Sequence, residues 1–255
     1  MDRTERKGDN EMKLTILGPW GAYPAADSAS ASYLIQTESV NVLLDCGSGA
    51  LAQLQRHLPL EELDAVVLTH YHTDHIADVY CLQHAAMILM QLGRRTKPIE
   101  IYAHDADPVA FATLAYGEYM HSHVIAVGDT LALGDLTWTF GHTTHPVPCL
   151  SMRIEHGGQT LVFTGDTAWN DDLVRIGRNA NLLLCESNLY NEYFGKIGGH
   201  LTAGEAGRLA SQCGAKRLVL THLPQYGDLA QLVREAQETY QGPIDLARTG
   251  DQYRL

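Results

Sequence analysis

From Met12 onward, short apolar runs alternate with amphipathic stretches, whereas residues 1–11 (MDRTERKGDNE) are charged and carry no apolar period. That opening segment reads as a disordered leader. The run MKLTILG begins the ordered part. Strand-like runs follow at Ser32–Gln36, Val40–Asp45, Ala65–Thr69, Ile99–Ala103, His123–Val127, Leu136–Phe140, Ser151–Glu155, Leu161–Thr164, Leu182–Cys185 and Arg217–Thr221. Helical spacing marks Ala50–His57, Asp74–Leu92, Asp107–Ala115, Thr202–Cys213 and Leu229–Tyr240. Strands followed by helices along the whole length predict an α/β fold of packed layers. No Pro- or Gly-rich linker interrupts residues 12–255, so one domain is expected, and no sequence repeat is visible.

Composition adds bounds rather than detail. The chain has 255 residues, 45% of them apolar, enough for a sizeable core. Lys and Arg number 18 against 30 Asp and Glu, and the formal charge of −12 repels nucleic acid and anionic membrane on average. The N-terminus lacks a secretory apolar run, and no stretch approaches the roughly 18 apolar residues of a membrane span. A cytoplasmic protein with no membrane partner is expected. Cys46, Cys81, Cys149, Cys185 and Cys213 are widely spaced and never form CxxC, which predicts free thiols rather than disulfides or a thiolate zinc site.

The thirteen histidines do change the picture, because several cluster. After the apolar run AVVLT comes His70-Tyr71-His72-Thr73-Asp74-His75, three imidazoles and a carboxylate within six residues. In extended backbone His70 and His72 project to the same side and could grip one ion, while Asp74 and His75, at the turn into a helix, could serve a second. Imidazole and carboxylate donors suit Zn, with Mn or Fe also tolerated. Two coordination shells need further ligands at strand ends, and candidates stand there: His145 in GHTTHP, Asp166 in TGDT and His222 in THLP. His142 competes with His145, and spacing alone does not separate them. The other histidines, His57, His84, His104, His121, His123 and His156, have no motif around them and read as surface or structural residues.

HYHTDH, TGDT and THLP, in this order and each after a β-run, resemble the metallo-β-lactamase superfamily over residues 12–255. The chain is similar in particular to the phosphodiesterase branch, which includes RNase Z and bacterial cyclic-nucleotide phosphodiesterases. Gly199-His200-Leu201-Thr202-Ala203 looks like the segment whose histidine assists phosphodiester cleavage in RNase Z. Glu186 in LLLCES matches the acidic residue that orients that histidine, and HPVPCLSMRIE matches the third-ligand stretch, favouring His145. GPWGAYPAADSASASYLI looks like the cyclic-nucleotide group. The resemblance implies a four-layer αββα sandwich and a homodimer. It also implies two divalent ions, one on His70, His72 and His145, the other on Asp74, His75 and His222, with Asp166 bridging.

The expected activity is therefore hydrolysis of a small phosphodiester, most simply a cyclic nucleotide, by hydroxide from a metal-bridging water. Asp74 would hold the nucleophile, and His200, assisted by Glu186, would act as general acid. Thr202 and Glu205 also form a capping-box pattern, so His200 could simply precede a helix. Tyr190 and Arg153 are further candidates for contacting phosphate or base. RNase Z enzymes usually carry a long Gly/Pro-rich arm between the third ligand and the bridging Asp; the run Ser151–Asp166 has none, which weighs against tRNA 3′-end processing. The rivals are that nuclease activity, hydrolysis of lactam, lactone or thioester bonds, and metal binding without catalysis.

Overall fold

A computed structural model describes residues 11–255. The leader expected over residues 1–11 therefore lies outside the described residues except for Glu11, whose carboxylate pairs with Arg254. The strands are β1 (Lys13–Gly18), β2 (Ser32–Gln36), β3 (Asn41–Leu44), β4 (Ala65–Val67), β5 (Ile99–Ala103), β6 (Met120–Val124), β7 (Thr130–Leu133), β8 (Leu136–His142), β9 (Leu150–His156), β10 (Gln159–Phe163), β11 (Leu182–Glu186), β12 (Leu218–Thr221), β13 (Ile244–Leu246) and β14 (Gln252–Arg254). They form two seven-stranded sheets, ordered β14-β1-β2-β3-β4-β5-β6 and β13-β12-β11-β10-β9-β8-β7. The helices are α1 (Ala50–Leu54), α2 (Thr73–Ile76), α3 (Val79–Gln91), α4 (Pro108–Ala112), α5 (Asp171–Ile176), α6 (Ala203–Cys213) and α7 (Leu229–Gln237).

Side-chain alternation with period two sorts the apolar residues into three cores. Leu161 and Phe163 of β10 and Leu182 and Leu184 of β11 face the other sheet, where they meet Tyr33, Ile35, Val42 and Leu44. The intervening Val162, Leu183 and Cys185 point outward to α5, α6 and α7. On the opposite side Leu34, Leu43 and Val66 face α1 and α3. Sheets facing each other with helices outside both make the expected αββα sandwich, and both sheets read as apolar runs because both of their faces are covered.

The expected helix Asp74–Leu92 is two helices. Its break falls at Asp78, whose N–H donates to the Cys46 carbonyl at 3.0 Å and whose carboxylate accepts from Leu51 N–H at 3.0 Å, so tertiary bonds replace the helical ladder there. β6 lies three residues upstream of the predicted His123–Val127. It is an edge strand, and Val124 and Val127 are exposed, so apolar pattern carried no register information. All five cysteines are free thiols. Among the described residues no helix is long and apolar enough to cross a membrane.

Candidate metal centre

Strands β3, β4, β5 and β6 run parallel, as do β10, β11, β12 and β13, and the carboxyl ends of such strands are where an open α/β sheet presents its site. Asp45 follows β3, His70 and His72 follow β4, Asp166 follows β10, Glu186 ends β11 and His222 follows β12. His145 lies on the β8–β9 connection, and Asp74 and His75 sit in α2. Asp45 and His222 adopt positive φ of 55° and 51°, left-handed backbone that costs non-glycine residues about 1–3 kcal/mol and gathers at functional sites. Gly21 lets the β1–β2 loop approach: a Cβ there would stand 2.8 Å from the His222 ring.

The histidines meet through their inward nitrogens. His70 Nε2 is 3.0 Å from His72 Nδ1, which is 3.2 Å from His145 Nε2. His75 Nε2 is 3.3 Å from His222 Nε2, and Asp74 Oδ2 lies 3.2 Å from His222 Nε2 and 3.6 Å from His75 Nε2. Asp166 Oδ2 touches both groups, at 3.8 Å from His70, 3.4 Å from His75 and 3.3 Å from His222. The ligand atoms of His70, His72, His145 and Asp166 lie within 4.8 Å of one another, as do those of Asp74, His75 and His222 and those of Asp166, His200 and His222. His142 is exposed and joins no such group, so geometry selects His145.

Outer hydrogen bonds fix which nitrogens are bare. His145 Nδ1 donates to the Gly199 carbonyl at 2.8 Å, and His75 Nδ1 donates to Asp45 Oδ2 at 2.8 Å. The Thr69 hydroxyl donates to Asp45 and so accepts from His70 Nδ1 at 3.0 Å. The inward Nε2 atoms of His70 and His145 are then lone pairs, both turned toward His72 Nδ1, an arrangement that suits a cation. Asp166 Oδ1 is buried without a hydrogen-bond partner, which points the same way. The donor set fits divalent metal.

Burial and charge act differently on each ring. Burial and the neighbouring His75 push His70 well below its usual pKa, and burial with His145 lowers His72. Burial opposes a charged His75, but Asp166 and Asp45 outweigh it and raise its pKa. Burial likewise opposes a charged Asp166, but His222 and His75 hold it well below the carboxylate range. Asp45 is the residue that sequence reasoning missed; its only signal is position, directly after the apolar run VLL.

Beside the cluster, His200 Nδ1 is 3.0 Å from Glu186 Oε1 and 3.2 Å from Oε2. Glu186 is fully buried and also accepts from Thr167 N–H at 2.6 Å. Burial alone would depress the His200 pKa, but the Glu186 carboxylate raises it to about 9. The His200 ring stacks on His222 at 5.4 Å and meets the His145 ring edge-on at 5.1 Å. Thr202 does cap α6 in a full capping box with Glu205, so capping and an inward-facing His200 coexist. Tyr190 and Arg153 are occupied elsewhere. The Tyr190 hydroxyl donates to the Tyr226 carbonyl, and the Arg153 guanidinium binds the Ile176 and Arg178 carbonyls and Glu155.

Residues 40–223 match the family model of the β-lactamase superfamily domain. The chain belongs to the β-lactamase superfamily. Within this superfamily it is 41% identical to the probable metallo-hydrolase YhfI of Bacillus subtilis (strain 168), over 94% of this chain and 98% of that protein. The crystal structure of YhfI superimposes with a TM-score of 0.94 at 39% identity, covering 96% of this chain and all of the other. Ribonuclease Z of Myxococcus xanthus (strain DK1622) is 26% identical over 94% of this chain and 96% of the relative, an RNase Z-like resemblance within this superfamily of metallo-hydrolases.

Proposed function

We propose that residues 12–255 act as one hydrolase domain that cleaves phosphodiesters, a small cyclic nucleotide being the substrate that fits best, at a centre of two divalent ions, most simply Zn. The observation that carries this reading is His200, held by the buried carboxylate of Glu186 beside the ligand cluster. Acyl transfer from a lactam or thioester does not call for a carboxylate-backed imidazolium in that place.

His70, His72 and His145 would hold one ion and Asp74, His75 and His222 the other, with Asp166 between them. Bound there, the ions would supply positive charge for the phosphate oxygens and a water of lowered pKa. Asp45 and Thr69 keep the His70 and His75 rings turned inward. Asp74, steadied by the Ala22 N–H at 2.7 Å, orients the attacking water. His200 spends Nδ1–H on Glu186, so Nε2–H is the proton available to the departing oxygen, and a pKa near 9 keeps it protonated at neutral pH.

Similarity to Ribonuclease Z favours a second reading, tRNA 3′-end cleavage. Against it, β9 and β10 are joined through Gly157 and Gly158 alone, with no arm to grip a polynucleotide, and the chain is acidic. The five free thiols agree with a cytoplasmic setting. The exposed Tyr80 and Ile88 of α3, with Leu92 directly after it, support a homodimer. The test is to assay the metal-loaded protein on bis(p-nitrophenyl) phosphate, cyclic AMP, precursor tRNA, a β-lactam and a thioester. Turnover of the two small phosphodiesters supports the reading. Cleavage of tRNA with a steep salt dependence selects the second, and turnover of the β-lactam or thioester alone refutes both.

A further inference from the structure

A cavity of about 340 Å³ has His200 in its wall, and none of the residues assigned to the ions lines it. Its volume falls in the range of about 300–1,000 Å³ of small-molecule sites. An acid acts only within hydrogen-bond reach of the atom it protonates, so the departing oxygen must come to His200. The rest of the leaving group is bonded to that oxygen and extends from the same point, where this cavity stands. A second cavity, of about 480 Å³, shares the ligand His145 and not His200.

The walls of the His200 cavity are aromatic and apolar, from Trp169, Tyr193, Phe194 and Ile197. Trp169 follows Ala168, whose N–H donates to the Thr144 carbonyl at 2.8 Å, and the Arg208 guanidinium stands 4.2 Å from the Trp169 ring centroid. Phe194 and Ile197 are 62% and 47% exposed, large apolar side chains that the protein leaves uncovered beside its reactive histidine. Both belong to FGKIGG, residues 194–199 of the connection from β11 to α6. The ends of this segment are fixed. Asn191 N–H donates to the Glu235 carboxylate at 2.7 Å, the Asn191 side chain accepts from Gly204 N–H at 2.9 Å, and the Gly199 carbonyl accepts from His145 Nδ1 at 2.8 Å. Its tip is open, since a Cβ added to Gly195 or Gly198 would meet nothing within 4 Å. Bonds from Phe194 N–H to the Asn191 carbonyl at 3.0 Å and from Lys196 N–H to the Tyr193 carbonyl at 2.9 Å shape the turn that carries Phe194. A wall of this kind suits a flat ring, because every base has a π-face that stacks on an aromatic side chain. Lys196, in the same wall, is the one Lys or Arg lining either cavity, and it adds positive charge where an acidic chain must receive an anion.

We propose that this cavity takes the nucleobase of the leaving nucleoside, with Phe194 and Trp169 as its stacking surfaces. The proposal rests on the phosphodiesterase reading, which puts the phosphate at the metal ligands and the departing oxygen at His200. It makes Phe194 and Trp169 specificity residues that favour a leaving group bearing an aromatic ring over a bare sugar. Stacking reads no hydrogen-bond pattern, so purine and pyrimidine nucleotides are both accepted.

The experiment is calorimetric titration of the metal-loaded protein with adenosine 5′-monophosphate and with ribose 5-phosphate, which keeps the sugar and phosphate and lacks the base. Wild type is expected to bind the nucleotide about 30-fold more tightly, and Phe194→Ala should cut that preference at least about fivefold. Phe194→Tyr, which keeps the ring, should retain it. Metal content and the thermal melt show that each variant is folded and loaded, and the exposure of Phe194 makes its replacement tolerable to the fold. Equal binding of the two ligands by wild type, no binding of either, or a preference unchanged in Phe194→Ala overturns the proposal. Turnover of bis(p-nitrophenyl) phosphate by the same preparation tests the phosphodiesterase reading separately: turnover together with equal binding removes the base site and leaves that reading standing.

Discussion

Replacing Glu186 by Gln removes one charge and almost no volume from the centre of this account. The Gln amide oxygen can still accept from Thr167 N–H and His200 Nδ1–H, so the imidazole stays in place, but the carboxylate that raises its pKa to about 9 is gone. Burial then opposes the imidazolium with only Asp166 and Asp74 still favouring it, so the pKa of His200 falls toward its ordinary value of about 6.5. A fall of about 2.5 corresponds to about 3.4 kcal/mol lost by the imidazolium, at about 1.36 kcal/mol per pKa unit. The protonated fraction drops about tenfold near pH 7.5 and roughly 75-fold near pH 8.5, yet hardly changes near pH 6. The assay is kcat for cyclic AMP against pH in both proteins, with metal content measured at each pH. Bound cations shift both profiles to lower pH together and preserve the widening gap. A loss of the same size at every pH would refute the reasoning and leave Glu186 with a purely structural role.

Asp45→Asn weakens the acceptor of His75 Nδ1–H and Thr69, so metal affinity should fall about 10–100-fold with the fold retained, as read by competition with a chelating dye. Gly207→Ala places a Cβ 2.3 Å from the Ala236 carbonyl oxygen where α6 meets α7, and urea unfolding should show a loss of about 1–3 kcal/mol with metal content unchanged. Stripping metal with a chelator should abolish turnover and lower the Tm, since the Asp74 and Asp166 carboxylates then repel with no cation between them; re-addition of Zn or Mn should restore both.

Much of the fold was legible because buried parallel strands write themselves as apolar runs, as in LLLC of β11 and LVLT of β12, and because each run ends at a candidate ligand. The elements that escaped are those held by partners distant in sequence. β13 and β14 have three residues each, too few to show a period, and β14 is a strand only because it pairs with β1 at the other end of the chain. α5 is a six-residue helix started by the Asn170 cap, shorter than the pattern that reveals a helix. At the centre, HYHTDH was legible through its density, and Asp166 and His222 through their positions after strands. Asp45 was not, because a single Asp at a strand end looks like any turn residue until its partners His75 and Thr69 come into view.

The most direct test compares His200→Ala with wild type on two phosphodiesters whose leaving groups differ in their need for a proton. p-Nitrophenolate departs unaided from bis(p-nitrophenyl) phosphate, whereas the ribose oxygen of cyclic AMP needs an acid. Loss of about 10²–10⁴-fold in kcat on cyclic AMP, a much smaller loss on bis(p-nitrophenyl) phosphate and full metal content are the predicted results. Equal losses on both substrates together with loss of metal would contradict the account and make His200 a ligand, through the group it forms with Asp166 and His222.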